Sequence, residues 1–146
     1  MNADAYRRVL IVEDDDDLRG MLDSTLRQRG LTVDVAAGGR EAISLLTENS
    51  YAVILLDLLM PQPDGFAVLR AIESGSVHAP PVVLVLTGAD RSVTDRLDPQ
   101  RIHGIIRKPF DSDELTSLIV ACSEIRSRGS FGMMAVAVIS SAHLLM

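Results

Sequence analysis

Five short, mostly β-branched apolar runs recur along the chain, at Arg8–Glu13, Thr32–Ala36, Ala52–Asp57, Val82–Thr87 and Gly104–Arg107. Most do not alternate apolar with polar positions, which is the pattern of strands buried on both faces. The stretches between them carry helical spacing instead: Leu18, Met21, Leu22 and Leu26, then Ala42, Leu45 and Leu46, then Phe66 and Leu69 with Arg70 leading to Ile72. A fourth helix over Arg91–Leu97 is short, and Pro99 stops it. The last is the best marked. Asp111 can cap it, Glu114 can complete a capping box, and Phe110 can staple onto Leu115 ahead of Leu118, Ile119 and Cys122.

Strand and helix alternate throughout, so the expected fold is α/β: a doubly wound, five-stranded parallel sheet with helices on both faces, joined by right-handed crossovers. Sheets of this kind bind ligands in the crevice outside the carboxyl ends of their strands.

Composition narrows the function. With 146 residues, 47% hydrophobic and 23% charged, the chain suits one folded domain. A net charge of -6 argues against direct nucleic-acid binding, which needs clustered Lys and Arg. Cys122 is the only cysteine, so no intrachain disulfide can form and a reducing, cytoplasmic setting is expected. Met1 to Arg8 lack the apolar centre of an export signal.

The strand ends carry the chemistry. Glu13 and Asp14 follow the first strand, Asp57 ends the third, Thr87 ends the fourth and Lys108 follows the fifth. In a parallel sheet these groups converge on one edge. Three carboxylates there repel one another unless a cation neutralises them, and oxygen-only ligands favour Mg²⁺. Asp57, rigidly placed at the end of the most apolar run, is the candidate nucleophile for a phosphoryl group. Lys108 would neutralise the phosphoryl oxygens, and the Thr87 hydroxyl would donate a hydrogen bond to one of them.

The series Val12-Glu13-Asp14-Asp15, Asp57-Leu58-Leu59-Met60-Pro61 with Asp64-Gly65, Leu86-Thr87-Gly88 and Lys108-Pro109-Phe110 resembles the motifs of bacterial response-regulator receiver domains, over roughly Arg8 to Arg126. The resemblance implies a flavodoxin-like strand order of 2-1-3-4-5. It implies Asp57 as phosphoacceptor, Asp14 as a direct metal ligand, Glu13 as a partner acting through water, and the Leu59 backbone carbonyl as a further ligand. Thr87 and Lys108 take the phosphoryl-sensing places, and a cis peptide is expected before Pro109. By the same resemblance a sensor histidine kinase or phosphotransfer protein donates the phosphoryl group, and a downstream protein reads the result. The chain would catalyse only its own phosphorylation and dephosphorylation, and a homodimer stays open. Two positions depart from the family. Glu13 replaces the commoner Asp, and Ile105 occupies the place of an aromatic residue that usually turns inward when the threonine moves. Ile105 is expected as an exposed edge-strand residue, with readout through the surface of the fourth helix and fifth strand as the alternative.

Other residues read more plainly. Asp15, Asp16 and Asp17 suit a helix N-cap and first turn. Gly65 suits the turn after Asp64, Cys122 the core, and His78, His103 and His143 surface or packing roles. The receiver is expected over residues 1–126, and 127–146 form a linker and apolar tail. From Phe131 to Met146 there are 16 residues without Asp, Glu, Lys or Arg. A helix of that length spans about 24 Å against about 30 Å of hydrocarbon, so a membrane span is not expected. Packing on the domain or a partner, lying on a membrane, and no role at all remain open for it. No output domain is expected after it, so the chain reads as a stand-alone switch. The competing readings are an unphosphorylated interaction module, a flavin carrier and an aspartate-based phosphatase. The flavin carrier needs a phosphate-binding loop where the acids stand, and the phosphatase needs an acid at Leu59.

Overall fold

The computed structural model describes residues 7–75, 77, 79–88, 91–127 and 137–139. The elements run β1 (Arg8–Val12), α1 (Asp16–Gln28), β2 (Thr32–Ala36), α2 (Gly39–Glu48), β3 (Val53–Asp57), α3 (Gly65–Glu73), β4 (Val82–Thr87), α4 (Arg91–Thr94), β5 (Gly104–Arg107), α5 (Ser112–Ser127) and β6 (Ala137–Ile139). All pairings are parallel, in the order β2-β1-β3-β4-β5-β6. The first five strands thus stand in the expected order 2-1-3-4-5.

Side chains on a strand alternate between faces, and the core divides accordingly. Leu10, Val12, Ile54, Leu56, Val83 and Val85 pack with residues of α2 and α3, such as Ala42, Leu46, Val68 and Leu69. Their neighbours Val9, Ile11, Val53, Leu55, Leu84 and Leu86 pack with Leu22 and Leu26 of α1 and with Leu115, Ile119 and Cys122 of α5. Both faces are therefore covered, and Cys122 is core as expected. Full burial of each such aliphatic side chain contributes roughly 1.5–3 kcal/mol, so the strands are rigid supports for whatever follows them. The buried stripe of α1 is narrower than its apolar spacing implies, since Met21 is exposed.

α5 is capped as its sequence suggests, with Glu114 N–H donating to Asp111 Oδ1 at 3.0 Å. One histidine does more than pack. Val83 N–H donates to His103 Nδ1 at 2.9 Å while His103 N–H donates to the Val83 carbonyl, so a side chain extends the β4–β5 ladder beyond Gly104. His78 and His143 lie outside the described residues.

The sheet has a sixth strand that the sequence reading did not foresee. Residues 137–139, assigned to the tail, pair with β5 through Gly104↔Ala137, Ile105↔Val138 and Ile106↔Ile139. β5 is consequently no edge, and the expectation for Ile105 is corrected: it is only 8% exposed and belongs to the core on the α2 and α3 side. The other residues of the apolar tail lie outside the described residues. Among the described residues no helix is long and apolar enough to cross a membrane.

Proline cannot donate to a ladder, and consecutive residues of a strand direct their N–H groups to opposite edges. Of the two variants Val138→Pro and Ile139→Pro, one should therefore detach β6 and speed amide hydrogen exchange in β5, leaving β1 and β3 unchanged. Unaltered exchange in both would mean that β6 does not pair with β5 in solution.

Candidate functional site

Glu13 follows β1 directly and is fully buried, at 0% exposure. Its backbone is held from two sides. Glu13 N–H donates to the Ala36 carbonyl at 3.1 Å, and its own carbonyl accepts a bond from Arg19 Nη1 at 2.9 Å. Arg19 escaped the sequence reading, because an arginine on a helix reads by default as a solvated residue. Asp14 is exposed. Asp15 turns away to cap α1, its Oδ1 accepting from Asp17 N–H at 3.0 Å and Leu18 N–H at 3.1 Å. Asp16 and Asp17 occupy the first turn, as expected.

Asp57 is the last residue of β3 and 4% exposed, with Oδ1 accepting from Leu59 N–H at 3.2 Å. The Leu59 side chain is 53% exposed, so this residue engages the site through its backbone. One carboxylate oxygen from each of Glu13, Asp14 and Asp57 lies within 4.8 Å of the others. Lys108 follows β5, and its Nζ is 2.7 Å from Glu13 Oε1 and 3.6 Å from Asp57 Oδ2. Thr87 ends β4 and is buried, one residue beyond Leu86, the register partner of Asp57. Its carbonyl accepts the Lys108 N–H at 2.9 Å, which ties these two residues together through the backbone. The peptide before Pro109 is cis, as the resemblance implied. All five sequence-derived residues thus stand at one sheet edge, with Leu59 beside them.

The role assigned to Gly65 needs correction. It serves more than a turn, because a Cβ there would overlap the Asp57 carbonyl oxygen and lie 2.6 Å from Leu58 Cα. The start of α3 therefore rests on the backbone that carries the nucleophile candidate, and only glycine permits that approach.

Burial pushes the Asp57 carboxyl up to about 7, and the adjacent Glu13, sharing a hydrogen bond and a like charge with it, adds to the rise. For Glu13, burial acts upward as well, but the hydrogen bonds from Asp57 and Lys108 and the lysine's charge outweigh it and hold this carboxyl below its ordinary value. Lys108 is pulled down by burial, yet its bond to Glu13 and the charges of Asp57 and Glu13 leave it raised. The resting site thus contains a low carboxylate, a high one and a firmly charged ammonium. Three converging oxygen donors, with no nitrogen or sulfur ligand in the cluster among the described residues, fit a hard divalent cation.

A family model described as the response regulator receiver domain matches residues 9–120. The chain belongs to this family. The receiver is 34% identical over 118 residues to the transcriptional regulatory protein TcrA of Mycobacterium tuberculosis, a match covering 80% of this chain and 46% of TcrA. It is 36% identical over 110 residues to the response regulator MprA of Mycolicibacterium vanbaalenii, covering 74% of this chain and 46% of that one. The receiver thus spans about half the length of these curated relatives. Among solved structures, the signal receiver domain of a response regulator from Bermanella marisrubri superposes with TM-score 0.72 at 29% identity, covering 80% of this chain and 97% of that one. The response regulator TrrA from Thermotoga maritima, crystallised in complex with Mg(2+)-BeF, superposes with TM-score 0.68 at 26% identity, covering 80% and 98%.

A carboxyl whose pKa rises on folding holds its proton more tightly in the folded state. Stability is therefore lost as pH climbs from the unfolded value near 4 to the folded value near 7. Asp57→Asn should remove that loss and stabilise the metal-free receiver at pH 8 by on the order of 1 kcal/mol, about 4 °C in Tm for a domain of this size. The gain should vanish at pH 4. Thermal melts of both proteins across this range test it, and an equal gain at pH 4 would exclude carboxylate crowding as its cause.

Proposed function

We propose that this receiver is a phosphorylation-dependent switch of a two-component system, accepting a phosphoryl group on Asp57 in a Mg²⁺-dependent reaction. The observation that carries the reading is Asp57 itself: a nearly buried carboxylate at the end of a central strand, pushed up to about 7 and standing 3.6 Å from the Lys108 ammonium. The acidic cluster supports Glu13, Asp14 and Asp57 as holders of Mg²⁺, with the Leu59 carbonyl as a further ligand. TrrA, of similar fold, was crystallised with Mg(2+)-BeF, which favours the same cation here. When bound, Mg²⁺ supplies positive charge that offsets the carboxylates and the phosphoryl oxygens.

The donor is a phosphohistidine on a sensor histidine kinase or phosphotransfer protein. An Asp57 carboxylate oxygen attacks phosphorus, the O–P bond forms as the P–N bond breaks, and the imidazole leaves. Lys108 donates to the phosphoryl oxygens, and the Thr87 hydroxyl donates to another. Water later cleaves the acyl phosphate and releases inorganic phosphate, so the chain processes only its own aspartyl phosphate. The added charge biases a surface that a downstream protein, or a second copy of the chain, reads. With Ile105 packed in the core, that readout runs through the α4 and β5 surface without a swinging aromatic ring. The single cysteine, Cys122, is buried and free, which suits a cytoplasmic setting.

Intact mass spectrometry after incubation with acetyl phosphate tests the reading. The wild type should gain one phosphoryl mass only with Mg²⁺, and Asp57→Asn should gain none. A receiver that binds Mg²⁺ and stays unmodified would instead be an interaction module.

The raised Asp57 pKa adds a second outcome. Below pH 7 the proton competes with the cation, so the apparent Kd for Mg²⁺ should fall by up to tenfold per unit as pH rises from 5 to 7, then level off. Titrations at four pH values suffice, and a Kd independent of pH would mean that Asp57 either is no ligand or is already ionised at pH 5.

A further inference from the structure

The segment from Ala36 to Gly39, which joins β2 to α2, touches both loops that carry the acids. On one side the Ala36 carbonyl, at the end of β2, accepts the Glu13 N–H at 3.1 Å. On the other, Gly39 is buried against the loop that joins Asp57 to α3: a Cβ there would overlap the Pro63 carbonyl oxygen and come within 3.0 Å of its carbon and 3.2 Å of its Cβ. Beside this contact lies an open cavity of about 630 Å³, bordered by Asp14, Ser44 and Leu45 and by Pro61 to Pro63. The neighbouring Gly38 is different, since its Cβ would meet nothing within 4 Å and its φ of -165° is ordinary extended backbone.

We infer that Gly39 is a positioning residue for the acidic site: by letting α2 touch the Pro63 backbone, it fixes the loop bearing Leu59 and Asp57 relative to the loop bearing Glu13 and Asp14. The inference rests on the switch reading above for its metal and phosphoryl consequences, but the clamp itself is a property of the metal-free chain. A methyl group at Gly39 must displace Pro63 or tilt α2, because the two nearest obstructing atoms are backbone and cannot rotate away. Either movement changes the separation of the two acid-bearing loops. Supporting contacts that orient ligands in this indirect way typically alter metal affinity by about 10-fold to 100-fold.

The test compares Gly39→Ala with Gly38→Ala in the full chain by NMR. In the metal-free protein, Gly39→Ala should shift the Leu59 amide resonance, whose N–H bonds Asp57 Oδ1, and Gly38→Ala should not. On titration with Mg²⁺, Gly39→Ala should weaken binding about tenfold, while Gly38→Ala stays within about twofold. A Leu59 resonance and a Kd unchanged by Gly39→Ala, or changed equally by both substitutions, would overturn the inference. If Gly39→Ala does not fold, the wild type decides. The amides of Gly39 and Arg40 must then move with Mg²⁺ along the same curve as Leu59, and their failure to move overturns the clamp. Wild-type protein that neither binds Mg²⁺ nor gains a phosphoryl mass would sink the switch reading alone, since the metal-free comparison still judges the clamp.

Discussion

Crowding of like charge at the carboxyl edge of the sheet organises this molecule. Three carboxylates gather there against one nearby ammonium, a balance of three negative charges and one positive. If all are ionised, the site carries a charge of -2, which a single dication would cancel. In water such groups would drift apart, so something must hold them together while the compensating charge is absent. The holding is done by apolar strands. β1 and β3 are buried on both faces, and Glu13 and Asp57 are simply the first positions where that burial meets chemistry. Backbone bonds complete the arrangement: Glu13 to Ala36, Lys108 to Thr87, and Leu59 to the Asp57 carboxylate.

The five central strands were readable because burial on both faces leaves an unbroken apolar run, and parallel order follows from the helices between them. β6 was not readable. Its uninterrupted apolar run, residues 133–139, shows neither a helical nor an alternating polar period to separate a strand from a helix, and its partner β5 lies more than 30 positions away along the chain. The error at Ile105 followed from missing that partner, since a residue judged to sit at an edge becomes interior once another strand is added. Met21 failed for a simpler reason: a helical stripe marks a face, but the width of its contact with the sheet is decided by neighbouring helices.

The site was legible to the extent that polar residues interrupt apolar strands at their ends. Glu13, Asp14, Asp57, Thr87 and Lys108 all carry that signature. Gly39, Gly65, Arg19 and His103 do not, because each acts through a contact with distant backbone. A glycine next to a turn looks the same whether its missing side chain leaves room for solvent or for a carbonyl group. Gly38 and Gly39 are adjacent and identical in type, yet one faces open space and the other abuts Pro63. Only the folded path of the chain distinguishes them.

The division of labour along each strand has a consequence for how this protein can change over time. The interior positions of β1, β3 and β4 carry hydrophobic volume and no reactive group, whereas the reactive groups occupy the terminal positions and are tied by main-chain atoms. Main-chain ties do not depend on side-chain identity. The core is therefore free to exchange one aliphatic residue for another of similar bulk without disturbing the chemistry at the rim.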